Sequence, residues 1–242
     1  MKNHQPSTIT VQYRFRFGGG KEEIFPLKLD EASMQTMDQA PVDPPGWTAL
    51  DFQQCPNCPL DAKKSPRCPA ALNMVQVVAR FNKLLSHDKA LVIVVTGERM
   101  LYSQTTIQRG VGSLMGLLMA CSDCPLTAFF KPMARFHLPF ASTEETIWRA
   151  TSSYLLAQYF LKLEGKAPDI HFNGLSAIYQ EIQKVNFAFA QRLREACEQD
   201  SMVNAIILLD LFAKSMPWAI EESLEEIRHL FQPYLSQMRP LK

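Results

Sequence analysis

The sequence has no charge imbalance and no long run of one sign. Its 25 basic and 24 acidic residues give a formal net charge of +1, and no Lys/Arg run is long enough to form a basic patch. The longest nearly uncharged apolar stretch, residues 111–121, is well short of the roughly 20 residues that a membrane-spanning helix needs. We therefore expect no nucleic-acid partner and no membrane-embedded segment.

The amino terminus lacks the apolar core of a secretory signal. Residues 1–12 are polar, so export by that route is not expected and the sequence predicts a cytoplasmic protein. In a reducing compartment, cysteines serve metal binding or thiol chemistry more often than disulfide formation. The six cysteines of this chain are therefore the leading candidates for functional residues.

A nucleotide-binding loop and a catalytic triad are also missing, so no catalytic residue is predicted and enzyme activity stays open. What is present is 47% hydrophobic and 10% aromatic residues, which is ample for a buried core. We expect a single α+β domain over residues 1–242. Residues 1–106 should be mainly strands with a loop rich in cysteine and proline, and residues 107–242 should be helical.

Alternation of apolar and polar residues predicts a small antiparallel sheet. Residues 8–17 alternate strictly, and a glycine turn leads to a second strand at residues 23–29. Pro26 restricts that second strand to an edge position or a bulge. Residues 90–95 suit a central strand, and a turn at residues 96–99 leads to a partner strand at residues 100–106, so the sheet should contain about four strands.

Helical periodicity and proline or glycine breaks predict the remaining elements. Pro69 suits the first position of a helix over residues 70–85. Gly112 and Gly116 lie four residues apart in a later helix and permit close approach of another element. Pro217 should separate the last two helices. The predicted helices after the sheet cover 107–120, 143–163, 174–198, 201–214 and 218–231.

Five of the six cysteines have the spacing of metal ligands. Cys55 and Cys58 form a Cys-x-x-Cys pair, from which a zinc or iron knuckle takes two neighbouring ligands. Cys68 follows after nine intervening residues in the same proline-rich segment, and Cys121 and Cys124 repeat the pair. We expect four of these five thiolates to hold Zn²⁺ or an iron–sulfur cluster.

A histidine extends the set of candidate ligands. His137 follows Cys124 by thirteen residues and could complete a mixed cysteine and histidine site. Cys197 lies within a long predicted helix without a neighbouring cysteine or histidine, so it is interpreted as structural. The predicted metal ligands are Cys55, Cys58, Cys68, Cys121, Cys124 and His137.

The central quarter of the chain carries recognisable motifs: CSDCP at 121–125, KPMARFHLPFASTEET at 131–146 and YLLAQYF at 154–160. With these motifs, the chain resembles a family of uncharacterised bacterial proteins that carry a domain of unknown function. CPNCP at 55–59 is consistent with the resemblance. The resemblance implies a bacterial cytoplasmic protein and assigns no activity and no catalytic residue.

Three functions remain open at this point. The first is a soluble metal-binding protein of unknown biological role. The second is a thiol redox protein or sensor without metal, in which Cys68 attacks because it precedes a helix amino terminus that favours the thiolate. The third is an interaction module whose helical half binds another protein or a second copy of the chain, with structural cysteines.

Overall fold

The computed structural model of the protein describes residues 7–37 and 41–237, without the side chains of Glu221 and Ser223. Residues 1–6, which entered the argument about export, and the start of the proline-rich segment at residues 39–40 lie outside the described residues. The described chain has an α+β fold, in which a four-stranded sheet is followed mostly by helices. The predicted fold class is confirmed.

The sheet is antiparallel throughout and has the strand order β2-β1-β3-β4. Its strands are β1 (Thr8–Phe17), β2 (Glu22–Asp30), β3 (Lys89–Thr96) and β4 (Met100–Thr106). The hairpin between β1 and β2 turns at Gly19 and Gly20, both at positive φ, which glycine adopts without strain. Pro26 lies opposite Gln12 on the outermost strand β2, the edge position predicted for it.

The described part of the chain contains seven α-helices, several of which begin at proline or capping signals. Pro69 stands at the first turn of α1, and Ser142 and Glu145 form a capping box at the start of α4. The helices are α1 (Pro69–Phe81), α2 (Ile107–Ala120), α3 (Lys131–Arg135), α4 (Thr143–Leu163), α5 (Asn173–Ala196), α6 (Ser201–Ile227) and α7 (Gln232–Leu235).

The predicted break at Pro217 is wrong, because α6 continues through this residue to Ile227. A proline inside a helix removes one backbone hydrogen bond and crowds the preceding turn. The spacing of buried residues explains why the helix persists: Ala213, Met216 and Ile220 are all buried at helical intervals on both sides of the proline. Burial of one continuous face outweighs the local defect.

Close contact between α2 and the sheet depends on a glycine. A Cβ at Gly110 would lie 2.8 Å from Val92 Cγ2 and 2.9 Å from Phe15 Cε1, closer than carbon atoms pack. At Gly112 a Cβ would meet the Ala205 carbonyl oxygen of α6 at 3.4 Å, which agrees with the predicted close approach. Gly116 has more room. The tightest of the three positions, Gly110, was not predicted.

Residue contacts divide the chain into two compact units. The first consists of the described residues up to Phe140 together with Glu181–Leu211, and the second of Ala141–Gln180 together with the described residues from Phe212 onward. The sheet and all six cysteines belong to the first unit. The prediction of one domain over residues 1–242 stays a prediction.

Within the second unit, a carboxylate fixes the connection from α4 to α5. Tyr154 donates a hydrogen bond to Asp169 Oδ2 (2.8 Å), and the same oxygen accepts from the backbone N–H of Gly174 (2.8 Å). These hydrogen bonds hold the pKa of Asp169 below its ordinary value. A side chain at Gly174 would collide with the Tyr154 hydroxyl, so this junction requires glycine. These polar contacts therefore fix the connection between α4 and α5.

One helical segment of the described chain, Ser201–Ile220, is long and apolar enough to cross a membrane by length and composition, and 28% of its apolar window is buried. The pair Ile107–Ala120 and Pro125–Arg135 passes the same test together, although it is bent by 110°. Core helices of soluble proteins pass this test as well. Met202 and Ile206 are completely buried in the hydrophobic core of the first unit, which fits the core role.

Candidate metal centre

The segment between β2 and α1 folds back on itself and positions the first three cysteines. Leu50 N–H donates to the Pro66 carbonyl (3.0 Å), and Cys68 N–H donates to the Thr48 carbonyl (2.8 Å). The Arg67 guanidinium reinforces this loop through the Thr48 hydroxyl oxygen at 3.1 Å. Because proline density prevents regular structure here, these few hydrogen bonds determine where the thiols lie.

The Cys55 to Cys58 pair forms a tight turn. Cys58 N–H donates to the Cys55 carbonyl at 3.0 Å. Between them, Asn57 Nδ2 donates to the carbonyl of Glu181 (3.0 Å) and to its Oε2 (2.8 Å), which ties the turn to α5. A Cys-x-x-Cys turn of this kind is the usual source of two adjacent ligands for one metal.

Cys68 and Cys124 occupy equivalent local positions. Cys68 is the residue before α1, and Cys124 is the residue before the 3₁₀ helix Pro125–Phe130, so each stands at the start of a helix that begins with proline. Both have extended backbone angles, as expected for a residue that precedes proline. Neither side chain caps its own helix, which leaves the thiol available for another partner.

Electrostatics group four of the thiols together. Burial and, to a smaller extent, the charges of Cys68, Cys124 and Cys58 together raise the pKa of Cys55 from 9.0 to about 12. Burial also raises the pKa of Cys124, and Cys68 and Cys58 act on it in the same direction. The thiolates of Cys55 and Cys124 are therefore unfavourable here unless a cation is bound beside them.

The four grouped cysteines share one feature of the sequence: each is followed directly by proline. The residues are Cys55, Cys58, Cys68 and Cys124. The remaining two are followed by Ser122 and Glu198. The motifs CPNCP and CSDCP contain three of these Cys-Pro steps, and Cys68-Pro69 is the fourth, so this feature of the sequence distinguishes the four thiols from Cys121 and Cys197.

Cys121 has a different environment at the carboxyl end of α2. It is buried, and burial raises the pKa of its thiol to about 12. The charged group that acts on it is Lys131, which lowers the pKa. Cys121 lines a groove of about 440 Å³ together with Leu118 and Asn73. Its surroundings are therefore distinct from those of Cys124, its partner in the second Cys-x-x-Cys pair.

His137 is hydrogen-bonded to a buried tyrosine. Its Nε2 lies 2.6 Å from the Tyr13 hydroxyl, which also lies 2.9 Å from Ser113 Oγ. Tyr13 is fully buried on β1, and burial raises its pKa well above the ordinary value. The contact explains why a polar tyrosine tolerates the core, since its hydroxyl group has partners.

Arg192 is the residue of this region that sequence reasoning missed. It is only 2% exposed on α5, and its guanidinium donates to the carbonyls of Trp47, Ala49 (2.7 Å) and Leu50 (3.5 Å). Burial lowers the pKa of Arg192 below its ordinary value, and the charges of the nearby cysteines oppose this shift in part. The sequence contains one sign of its burial: Arg192 follows the buried Val185 by seven residues, which places both residues on the same face of the helix.

Over residues 7–37 and 41–237, no three Cys, His, Asp or Glu side chains stand at the separations that would hold a metal ion. Cys58 and Cys68 are close enough to act electrostatically on Cys55 and Cys124, but the four thiols do not stand at metal-binding separations in this structure. Each of the six cysteines is a free thiol.

The sheet with its flanking helices and cysteine-bearing loop defines an α+β protein with a thiol cluster. The model of one protein family, the domain of unknown function DUF6901, matches residues 11–232. The chain therefore belongs to the DUF6901 family, which confirms the predicted resemblance to a family of unknown function. No curated protein and no solved structure matches the chain.

Proposed function

We propose that this is a soluble, cytoplasmic metal-binding protein that holds Zn²⁺ or an iron–sulfur cluster through four thiolates. The proposed ligands are Cys55, Cys58, Cys68 and Cys124. The observation that carries the proposal is that the charges of the other thiols of this group act on Cys55 and on Cys124, although three separate stretches of backbone contribute the four cysteines.

The chemistry of the four positions supports metal rather than inert packing. A bound cation would offset the repulsion among the thiolates and the cost of burying them, and binding would release the thiol protons. Proline after each cysteine narrows the backbone freedom of the ligand, so less entropy is lost when the thiolates are fixed around a metal. Cys121 lies in a different electrostatic environment, with Lys131 nearby, and His137 is hydrogen-bonded to Tyr13, so neither is a ligand in this proposal.

The biological role depends on which group is bound. Zinc with four thiolates has a closed coordination shell, and such sites stabilise a fold or regulate it. An iron–sulfur cluster held by four cysteines transfers electrons or senses the redox state of the cell. Both groups accept four cysteine thiolates, so the proposal covers both.

Elemental analysis and absorption spectroscopy test the proposal, on protein purified anaerobically without added metal. We expect close to one zinc ion per chain, or iron with a brown iron–sulfur chromophore. The metal should be lost in Cys55→Ser/Cys58→Ser and in Cys124→Ser, and retained in the matched control Cys197→Ser. Metal-free protein with six titratable thiols would overturn the proposal and favour the thiol redox protein.

A further inference from the structure

Helix α4 of the second unit has two apolar faces. One face is buried and includes Ile147, Ala150 and Tyr154. The other face consists of large side chains that are between 41% and 67% exposed. We call this second set the α4 outer face: Trp148, Leu155, Leu156, Tyr159, Phe160 and Leu163. Contiguous apolar surface of this kind marks an interaction site in soluble proteins.

The α4 outer face continues beyond the helix. The Trp148 ring lies 5.7 Å from the Phe231 ring, centroid to centroid, next to the start of α7. Leu230, Tyr234 and Leu235, close to Phe231 in the sequence, are also exposed. The exposed area therefore does not depend on one helix alone.

The spacing on α4 is that of a helix–helix seam. Trp148, Ser152, Leu155 and Tyr159 recur at intervals of four, three and four residues, which places them along one line of the helix. Ser152 is small and half-buried near the middle of this seam, so a second helix can approach closely there. A helical partner fits this surface better than a loop or a strand.

Two charges flank the seam at opposite ends. Glu144 lies in the first turn of α4 and Lys162 in the last, and both are exposed. Lys162 follows Glu144 by eighteen residues, which is five turns at 3.6 residues per turn, so the two side chains leave the helix in the same direction. The helix thus has an acidic end and a basic end on one flank.

We propose that two copies of the chain associate through α4, with the two helices antiparallel about a two-fold axis near Ser153. The charges and the seam independently give this centre, because residue 153 lies midway between Glu144 and Lys162 and next to the midpoint of Trp148 and Tyr159. Glu144 of each copy then faces Lys162 of the other, and Trp148 faces Tyr159. A parallel pairing would instead place like charges together.

Sedimentation equilibrium of the full chain over a range of concentrations tests this proposal, with circular dichroism as a check that each variant is folded. We expect a reversible dimer. Leu155→Glu should abolish it, since the two-fold axis buries this carboxylate twice in an apolar seam. The matched control Tyr102→Glu changes a more exposed aromatic residue on β4, in the first unit, and should leave the dimer intact.

A charge-swap series tests the orientation. Glu144→Lys or Lys162→Glu alone should weaken the dimer roughly tenfold, because each creates two like-charge contacts. The double variant, Glu144→Lys with Lys162→Glu, should return the dissociation constant to within about twofold of the wild-type value. Rescue of this kind would not follow from a general loss of stability.

Three results would overturn the proposal: a monomer at every concentration, a dimer that survives Leu155→Glu, or a double variant as weak as the single ones. A monomer that floats with phosphatidylcholine vesicles would assign the α4 outer face to a lipid surface instead. Metal content measured on the same samples keeps this result separate from the proposed metal site, since the two stand on different residues.

Discussion

The first compact unit carries the cysteines and the packed core of the sheet, whereas the second carries a helix with a largely exposed apolar face. The first unit contains all six cysteines and buries its aromatic residues Tyr13, Phe15 and Phe81 completely. The second unit has no cysteine, and half or more of Tyr159, Phe160 and many neighbouring apolar side chains is exposed. The difference places the proposed metal ligands beside a packed interior and the proposed dimer contact on an exposed apolar helix face.

The largest expected change in stability comes from a substitution inside the first unit. Arg192→Ala should reduce the free energy of unfolding by about 3 kcal/mol, because it removes a buried side chain that donates hydrogen bonds to the carbonyls of Trp47, Ala49 and Leu50. Urea denaturation measures this change. Arg194→Ala, an exposed arginine on the same helix, is the matched control and should cost at most about 0.5 kcal/mol. Equal effects of the two changes would show that Arg192 does not fasten the loop.

A smaller effect is expected at the contact between α2 and the sheet. Gly110→Ala should destabilise the protein by about 1–3 kcal/mol, since the new Cβ would collide with Val92 and Phe15. Gly116→Ala on the same helix meets Leu209 at an ordinary 3.7 Å, and helix propensity should make it neutral or stabilising by up to about 1 kcal/mol. Thermal unfolding of the two variants distinguishes them, and a tolerated Gly110→Ala would contradict the tight packing described here.

The smallest effect is a pH dependence that the thiols of the first unit create. Burial raises the pKa of Cys55 and of Cys121 from 9.0 to about 12, so above pH 9 the unfolded chain loses protons that the folded chain keeps. The free energy of unfolding of metal-free protein should therefore decline as the pH rises from about 9 towards 12. Cys55→Ser/Cys121→Ser should show a shallower decline in urea titrations at pH 8, 9 and 10. An unchanged slope would contradict the assignment to these thiols.

Local patterns in the sequence were enough for most of the fold. Strict alternation predicted β1, and proline and glycine marked the start of α1 and the turn before β2. The bounds of α2 and α4 agree with the prediction because each helix ends at a clear change of pattern. Pro217 misled the prediction, since burial on both sides of a proline is a tertiary effect that the local rule does not include.

The candidate site was harder to predict from the sequence than the fold. Spacing alone identified the five clustered cysteines but could not separate Cys121 from Cys124, because their difference arises where the chain turns after α2. His137 had ligand-like spacing, yet its hydrogen bond to Tyr13 spans 124 residues and leaves no local trace. The role of Arg192 depends on a loop some 145 residues earlier in the chain.

Pro26 on the outermost strand bears on the tendency of the protein to aggregate. An exposed sheet edge invites a strand from a neighbouring molecule, and repeated addition of this kind builds insoluble fibres. Pro26 is exposed on β2 and has no backbone N–H to donate to a strand of another molecule. Such a strand therefore cannot form an uninterrupted hydrogen-bond ladder along this edge. One residue in the hairpin thus helps to keep the protein dispersed at the concentrations reached in a crowded cell.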